Sequence, residues 1–354
     1  MKLRNLLFFC GLKMTEFFPF QFHITDDCDQ RCKHCYIFSE ENNKPIITMS
    51  YENVMKVFHN CYDMCEKSNR KAFFTITGGD PILHPDFWKI LEFLKENKTP
   101  FGILGNPFHL NEDVCQDLAS YGCRFYQLSL DGLKETHDYF RKEGSFYTTL
   151  EKIAPLKNAG IHANIMTTVS KTNIDEIPGI IEKAVEYKAD LFTFARYCPT
   201  SLEKSAQMTA NEYRELLDKC FKLYEKYDNS ETKFSLKDHL WTLYLYEEGL
   251  FKIPENLDEN VIYDGCNCGI GHLTILPNGD VYACRRMESK VGNALSESIY
   301  DIFTGKRMNY YRQYDKFEKC SKCELLRFCR GCPSVSYGYT HNPYSPDPQC
   351  WKEL

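Results

Sequence analysis

The chain has 354 residues, enough to bury a large core and to form roughly two domains, and its formal net charge is −6. That balance gives no electrostatic case for a nucleic-acid partner or an acidic membrane surface, and no stretch is long and apolar enough to span a bilayer. The anomaly is 18 Cys. They gather at ligand spacings instead of spreading through loops as in a short secreted disulfide scaffold, so a reducing, cytoplasmic compartment is expected and most are read as metal ligands.

Residues 1–18 read as a peripheral extension. Met1-Lys2-Leu3-Arg4 followed by Leu6-Leu7-Phe8-Phe9-Cys10-Gly11 superficially resembles a lipoprotein signal, but its apolar run is short and Phe8 and Phe9 stand where processing needs small residues. Met14 is an alternative start. From Pro19 the pattern predicts strands at Phe20–Ile24, Ala72–Thr77, Phe101–Leu104, Arg124–Leu130, His162–Thr168 and Leu191–Tyr197. Helical periodicity covers Tyr51–Lys67, Pro85–Asn97, Glu112–Tyr121, Phe146–Ala159 and Asp175–Tyr187. Such alternation makes a parallel sheet with helical crossovers. Six units are too few for a closed eight-stranded barrel, so an open, TIM-like (β/α)6 arc is expected over residues 19–200, with its site at the carboxyl ends of the strands.

The first strand leads into Cys28-Asp29-Gln30-Arg31-Cys32-Lys33-His34-Cys35-Tyr36. Three thiols in a charged loop ask for a metal. Zinc and a cubane iron-sulfur cluster both want four ligands, so the loop either finds a fourth elsewhere, as in a zinc knuckle, or leaves one iron open. The second strand runs into Gly78-Gly79-Asp80-Pro81, where two glycines let the backbone approach a ligand and strand-end carbonyls can accept from an ammonium; taken alone it is an ordinary turn. Asn106 follows the third strand. The fourth ends in Ser129-Leu130-Asp131-Gly132, with His137, Asp138 and Arg141 beyond it. A hydroxyl and a guanidinium over one mouth suit a ribose and a carboxylate, against the plainer reading of a turn with a surface Arg.

Together these stretches resemble the radical S-adenosylmethionine (SAM) superfamily. The resemblance implies a (β/α)6 core and a [4Fe-4S] cluster on Cys28, Cys32 and Cys35, whose open iron chelates the amino and carboxylate groups of SAM so that an injected electron yields a 5′-deoxyadenosyl radical. Tyr36 matches the aromatic position after the third Cys. Gly78, Gly79 and Asp80 are similar to the Gly-Gly-Glu motif that binds the SAM amino group, with Asp in place of Glu. Ser129 and Arg141 match SAM contacts of peptide-modifying members, and Asn106 lies in the loop where relatives carry Thr-Asn-Gly, although Pro107 and Phe108 depart from that pattern. Cys61 and Cys65, four apart on a helix, read as core, and Cys10, Cys115, Cys123 and Cys220 as isolated buried hydrophobes. Cys198, in Arg196-Tyr197-Cys198-Pro199 after the sixth strand, is a candidate for facing substrate.

Residues 201–262 are rich in Lys, Glu and Tyr and read as a helical bridge, with helices at Ala210–Lys226 and Leu236–Glu247. Residues 263–354 hold Cys266, Cys268, Cys284, Cys320, Cys323, Cys329, Cys332 and Cys350. Asn278-Gly279 predicts a hairpin across Leu276–Tyr282 that delivers Cys284 opposite Cys268. Its CxxC pairs alone read as two all-thiolate zinc sites. The spacing also resembles the SPASM domain of radical SAM peptide maturases. That likeness implies two auxiliary [4Fe-4S] clusters, one on Cys268, Cys284 and Cys332, the other on Cys320, Cys323, Cys329 and Cys350. Cys266 either completes the first or leaves it an open iron. Cys329 and Cys332 are separated by two residues where many relatives have three.

The function implied is that of a radical SAM maturase of a Cys-rich, ribosomally made precursor peptide, most simply by joining Cys sulfur to carbon in a thioether. A reductant such as flavodoxin or ferredoxin is needed, and the short N-terminal extension suggests leader recognition by the bridge, the C-terminal unit or a separate leader-binding protein. Formylglycine-forming relatives carry an Asp base immediately after the Cys that follows the hairpin; here Arg285-Arg286-Met287 follows Cys284. Arg285 and Arg286 either steer acidic substrate residues or form a solvated face. Peptide epimerisation, with Cys198 returning a hydrogen atom, is one alternative, and a non-catalytic zinc or iron-sulfur scaffold is another.

Overall fold

A computed structural model describes residues 6–7, 16–38, 45–199, 207–258 and 260–354. Cys10, Met14 and the expected junction at 200–201 lie outside the described residues. The elements are β1 (Leu6–Leu7), β2 (Phe17–Thr25), α1 (Tyr51–Lys67), β3 (Lys71–Gly78), α2 (Phe87–Glu96), β4 (Phe101–Leu104), α3 (Glu112–Ser120), β5 (Cys123–Ser129), α4 (Lys134–Phe140), α5 (Ser145–Glu151), α6 (Ile153–Asn158), β6 (His162–Val169), α7 (Ile177–Glu186), β7 (Leu191–Arg196), α8 (Ala210–Lys226), β8 (Lys233–Ser235), α9 (Leu240–Glu247), β9 (Leu273–Ile275), β10 (Asp280–Tyr282), β11 (Lys290–Asn293), α10 (Ile299–Thr304), α11 (Lys306–Asn309) and α12 (Pro333–Thr340).

Strands β2 to β7 are the six predicted ones, parallel and adjacent in chain order. They do not stand alone. At one edge β8 pairs parallel to β7 and β1 to β8; at the other, β9 pairs parallel to β2 and begins the antiparallel run β9-β10-β11. The result is one eleven-stranded sheet. The bridge therefore contributes a strand to the barrel sheet and is not purely helical as expected. Among the described residues no helix is long and apolar enough to cross a membrane.

Alternation along the strands gives the arc two unlike faces. Phe18, Phe20, Phe22 and Ile24 of β2, Phe74 and Ile76 of β3, and Phe192 and Phe194 of β7 are buried under the helices. The opposite, concave face is polar: Gln21 and His23 stand beside Thr75 and Thr77, Gln127 beside Asn164, and Met166 beside Thr193. An apolar-filled barrel would have no room for a ligand; this interior is chemically suited to hold one.

Helix boundaries follow local chemistry. Ser50 caps α1, and Thr209 with Glu212 forms a capping box on α8. The predicted helix Phe146–Ala159 is split into α5 and α6, because Pro155 has no N–H to give to the Glu151 carbonyl. α4 was not predicted, since His137 is its only buried residue and no apolar stripe marks it.

The C-terminal unit is anchored to the arc at two places. On α1, Asn60 Nδ2 donates to the carbonyls of Ala294 (2.9 Å) and Glu297 (2.8 Å), and its Oδ1 accepts from Ile299 N (2.8 Å). At the end of β7, Arg196 is fully buried: its Nε reaches Asp238 (2.9 Å), Nη1 and Nη2 grip the two oxygens of Asp347 (2.6 and 2.8 Å), and Nη1 also reaches Gln349 (2.9 Å). Removing one member of such a buried group strands the other charge. Asp347→Ala is expected to cost about 3–5 kcal/mol, read as a fall in the anaerobic denaturation midpoint, and an unchanged midpoint would contradict this role.

Candidate active site

The turn that carries the first three thiols is held by the glycine pair. Gly79 N donates to Thr25 O (2.8 Å) and Asp80 N to Asp27 O (2.7 Å). Gly78 has φ +143°, and a Cβ there would lie 1.9 Å from Thr25 O; at Gly79 it would lie 2.1 Å from Asp27 O. Both glycines are thus required by the backbone leading to Cys28, a different physical reason from the ligand approach expected of them. Asp27 Oδ1 then accepts from Cys28 N (2.9 Å).

Cys28, Cys32 and Cys35 lie near enough to act on one another electrostatically. Burial pushes the Cys28 thiol up to about 11, with Asp80 and Cys32 adding to the rise against the Asn106 hydrogen bond that opposes it. Asn106 Nδ2 donates to Cys28 Sγ (3.3 Å) and to Asp29 (2.9 Å), and Arg141 Nη1 stands 3.8 Å from Cys32 Sγ. Asn106 therefore joins the site although the residues after it depart from the expected motif.

Around this loop the predicted SAM contacts converge. Asp80 has no solvent exposure; its Oδ1 accepts from Asn106 N at 3.4 Å, while its Oδ2 has no hydrogen-bond partner and lies 4.0 Å from His109 Nε2. Burial raises the Asp80 carboxyl to about 7, against the opposing pull of the Asn106 N–H and His109. Arg141 Nε is paired with Asp131 (2.6 Å), which also takes His34 Nε2 (3.3 Å) and Thr168 N (2.8 Å). Burial alone would raise the Asp131 carboxyl, but Arg141 and His34 overcome it and hold it well below the usual range. Ser129 ends β5 half-buried on the concave face. Asp29, His34 and His109 were not singled out from sequence. Their one signal is position, two inside the Cys loop and one three residues after Asn106.

The other thiols form two groups. Burial pushes up the thiols of Cys266 and Cys268, with Cys284 and Cys332 adding to the rise in both, and those of Cys320 and Cys329, with Cys350 adding to the rise in both and Cys323 to that of Cys320. The hairpin places Cys284 with Cys268 as expected, and Cys266 stands in the same group, its Sγ accepting from Cys268 N (3.4 Å). Cys284 N is held by Ser289 Oγ (3.0 Å), and Cys332 N by Asp347 Oδ2 (2.7 Å). Among the described residues only Asp29, Asp80 and His109 bring three ligand atoms within 4.8 Å of one another. A single tetrahedral zinc, at about 2.3 Å from each sulfur, would need thiols roughly 3.8 Å apart. Thiols grouped but more widely spread suit a multi-iron cluster, and the donor sets are three in the first group and four in each of the others.

Cys198 does not face an open mouth. It is buried against Cys332 and Val335, with its thiol 3.9 Å from Arg196 O. α12 covers it so closely that a Cβ on Gly338 would lie 2.6 Å from Pro199 O. Cys61, Cys65, Cys115, Cys123 and Cys220 are core residues, as expected.

Tyr36 and Arg285 span the space between the first two thiol groups. The Arg285 guanidinium lies 4.1 Å from the centre of the Tyr36 ring, and Tyr36 feels the charge of Cys35 and of Cys284. Arg286 crosses the open side of the arc, donating to Arg196 O (3.2 Å) and Cys332 Sγ (3.4 Å). It is not the solvated face that was one alternative.

Comparison with known proteins agrees with this layout. The family model of the Radical SAM superfamily matches residues 22–184, and that of the SPASM iron-sulfur cluster-binding domain matches residues 266–333. The chain is 26% identical over 341 residues to an AdoMet-dependent heme synthase of Oleidesulfovibrio alaskensis, covering 92% of this chain and 85% of that one. It is 26% identical over 341 residues to the mycofactocin maturase MftC of Mycobacterium ulcerans, covering 92% and 86%. Its fold is shared with Streptococcus suis SuiB, solved bound to the precursor peptide SuiA, at a TM-score of 0.72 and 20% identity over 95% of this chain and 76% of that one.

The glycine argument is directly testable. Gly79→Ala is expected to cost about 3 kcal/mol or more through the overlap with Asp27 O. Gly271→Ala, whose Cβ would meet nothing closer than 3.8 Å, should leave the denaturation midpoint almost unmoved. Equal effects would refute the close-packing account.

Proposed function

The chain carries a radical SAM domain and a SPASM domain, and from that premise we propose that it modifies a ribosomally made precursor peptide by SAM-derived radical chemistry. The observation that carries this reading is the placement of a three-thiol loop and a four-thiol group on either side of one polar interior, with Tyr36 and Arg285 between them. In this reading Cys28, Cys32 and Cys35 hold a [4Fe-4S] cluster with an open iron, Cys266, Cys268, Cys284 and Cys332 a first auxiliary cluster, and Cys320, Cys323, Cys329 and Cys350 a second. Bound there, the clusters supply and accept the electrons of reductive SAM cleavage and substrate oxidation.

The chain's own residues position the reactants. Asp80 Oδ2, buried without a partner, accepts an N–H of the SAM amino group; Asn106 and Arg141 hold the loop from two sides; Ser129 offers a hydroxyl to the ribose. The Asp131–Arg141 pair leaves the guanidinium oriented toward Cys32 and able to reach a carboxylate beside it. The concave face keeps a substrate strand in a polar recess. We take the bond formed to be Cys sulfur to carbon. Formylglycine formation is disfavoured because a cation, Arg285, follows Cys284 where a carboxylate base would be needed, and epimerisation because Cys198 is enclosed against Cys332. The electron donor is proposed to be a flavodoxin or ferredoxin, leader recognition is assigned to the bridge, the C-terminal unit or a separate protein, and the compartment to the cytoplasm.

A second reading, chemistry on a tetrapyrrole, is favoured by the likeness to proteins named as heme synthases. Anaerobically reconstituted protein given a Cys-rich peptide encoded beside its gene should form 5′-deoxyadenosine and remove two hydrogens per crosslink, read by mass spectrometry. Turnover of iron coproporphyrin with the peptide untouched would replace the peptide reading, and an unchanged peptide mass with deuterium uptake from heavy water would point to epimerisation.

SAM affinity should also depend on pH. Burial holds the Asp80 carboxyl at about 7, and the N–H donated by a bound SAM amino group favours its ionised form, so a proton must leave on binding below that value. Affinity is expected to rise about tenfold from pH 6 to pH 8 and then level off. Asp80→Asn should bind SAM more weakly at every pH and without that slope; a slope retained in the variant would assign the titration elsewhere.

A further inference from the structure

Two ligand sulfurs of the C-terminal unit have hydrogen-bond donors that binding and positioning of the reactants leave unexplained. Arg286 Nη2 donates to Cys332 Sγ at 3.4 Å, while Nη1 of the same guanidinium donates to Arg196 O at 3.2 Å. Ser334 Oγ lies 3.0 Å from Cys284 Sγ. Between a hydroxyl and a free thiol either atom could donate, but a metal-bound sulfur carries no proton, so the Ser334 hydroxyl is then the donor. Ser334 is buried in the first turn of α12, two residues after Cys332. One short segment thus supplies a ligand and the donor to its neighbour.

Arg286 is held in this pose. Its guanidinium closes a ring of bonds that runs from Arg196 O to Arg286, on to Cys332, from the Cys332 N–H to Asp347, and back through Asp347 to the Arg196 side chain. Cys198 and Val335 pack against the buried Cys332, and in such surroundings a hydrogen bond is electrostatically stronger than in water. Arg286 is itself half-buried, and among the described residues no carboxylate forms an ion pair with it. A cation in that position is costly beside a neutral thiol and favoured beside an ionised, metal-bound one.

We propose that Arg286 and Ser334 set the reduction potential of the iron-sulfur cluster on Cys266, Cys268, Cys284 and Cys332, raising it above the value that the four thiolates alone would give. Reduction adds one electron, and part of its charge falls on the sulfurs. Donors fixed on those sulfurs therefore stabilise the reduced form more than the oxidised one, and a hydrogen bond from a cation does so more strongly than one from a neutral hydroxyl. A raised potential favours taking up an electron released by substrate oxidation over returning it. The proposal rests on the reading of this thiol group as an iron-sulfur site and is independent of which substrate is oxidised.

The test is a redox titration of anaerobically reconstituted full-length protein, with SAM left out so that none is consumed, poised with mediator dyes and followed by low-temperature electron paramagnetic resonance. The reduction wave of this group is the one missing from the double variant C268A/C332A. At a fixed solution potential Arg286→Gln is expected to lower the reduced-to-oxidised ratio of that cluster about tenfold, a downward shift of about 59 mV for a one-electron couple. Ser334→Ala should lower the ratio about threefold, in keeping with a neutral donor. Arg286→Lys, which keeps the charge, should retain most of the native potential, and the other waves should stay in place. Should Arg286→Gln fail to take up iron, Ser334→Ala decides alone, since it removes a single hydroxyl. A wave unmoved or raised by the substitutions, or all waves shifting together, would overturn the tuning while leaving the cluster reading intact. Zinc in place of iron on this thiol group would overturn both.

Discussion

The buried guanidinium of Arg196 is the joint on which the two halves of this molecule depend. Taking that charge out of water is costly, and the cost is met only because three side chains from two other segments converge on it: Asp238 after β8, and Asp347 and Gln349 near the C-terminus. The same Asp347 carboxylate accepts the backbone N–H of Cys332, and the Asp347 carbonyl accepts that of Cys350. One side chain at a barrel strand end therefore sets the position of a thiol in each C-terminal group. An apolar contact could hold the segments together, but it could not orient two loops through directional bonds at once.

The arc itself has an edge problem, since six parallel strands that stop short of closure would leave unpaired N–H and C=O groups on both sides. The chain answers by pairing β8 and β1 beyond β7, and β9 beyond β2. The second answer has a chemical effect. Because β9 is hydrogen-bonded to β2, the hairpin that follows brings Cys284 and Arg285 to the same interior that the Cys28 loop overlooks from the end of β2. Sheet extension and delivery of the second thiol group are one structural act.

Much of this was legible in the sequence. The six core strands are long, and alternate or run apolar over at least four residues, and their ends fall where Phe, Ile and Val give way to Gly, Asp and Ser. The Cys spacings place ligand groups before any coordinate is known. What escaped reading had a physical cause in each case. β8 and β9 are three residues long, too short to display a period, and exist because a neighbouring edge recruits them. α4 buries a histidine and nothing apolar. Cys198 follows a strand and so was placed at the mouth, but α12, more than 130 residues later, covers it, and no local pattern reports a contact of that range. Asp29, His34 and His109 are polar residues in loops, common enough to pass unnoticed until Asp80 and Asp131 are seen beside them.

Replacing a carboxylate by Arg after Cys284 changes more than one candidate base. Two groups of thiols stand on either side of the recess, each rich in negative charge once its sulfurs are ionised, and a further carboxylate between them would be pushed toward its neutral form. A guanidinium in that position is instead favoured by both groups, and it stays charged at any working pH while keeping Tyr36 beneath it as a fixed platform. With the seam thus positive, the interior is better suited to receive an anion than to remove a proton. The difference between an acidic and a basic residue at this one position is accordingly a difference in what the recess can bind, and only through that in what is done to it.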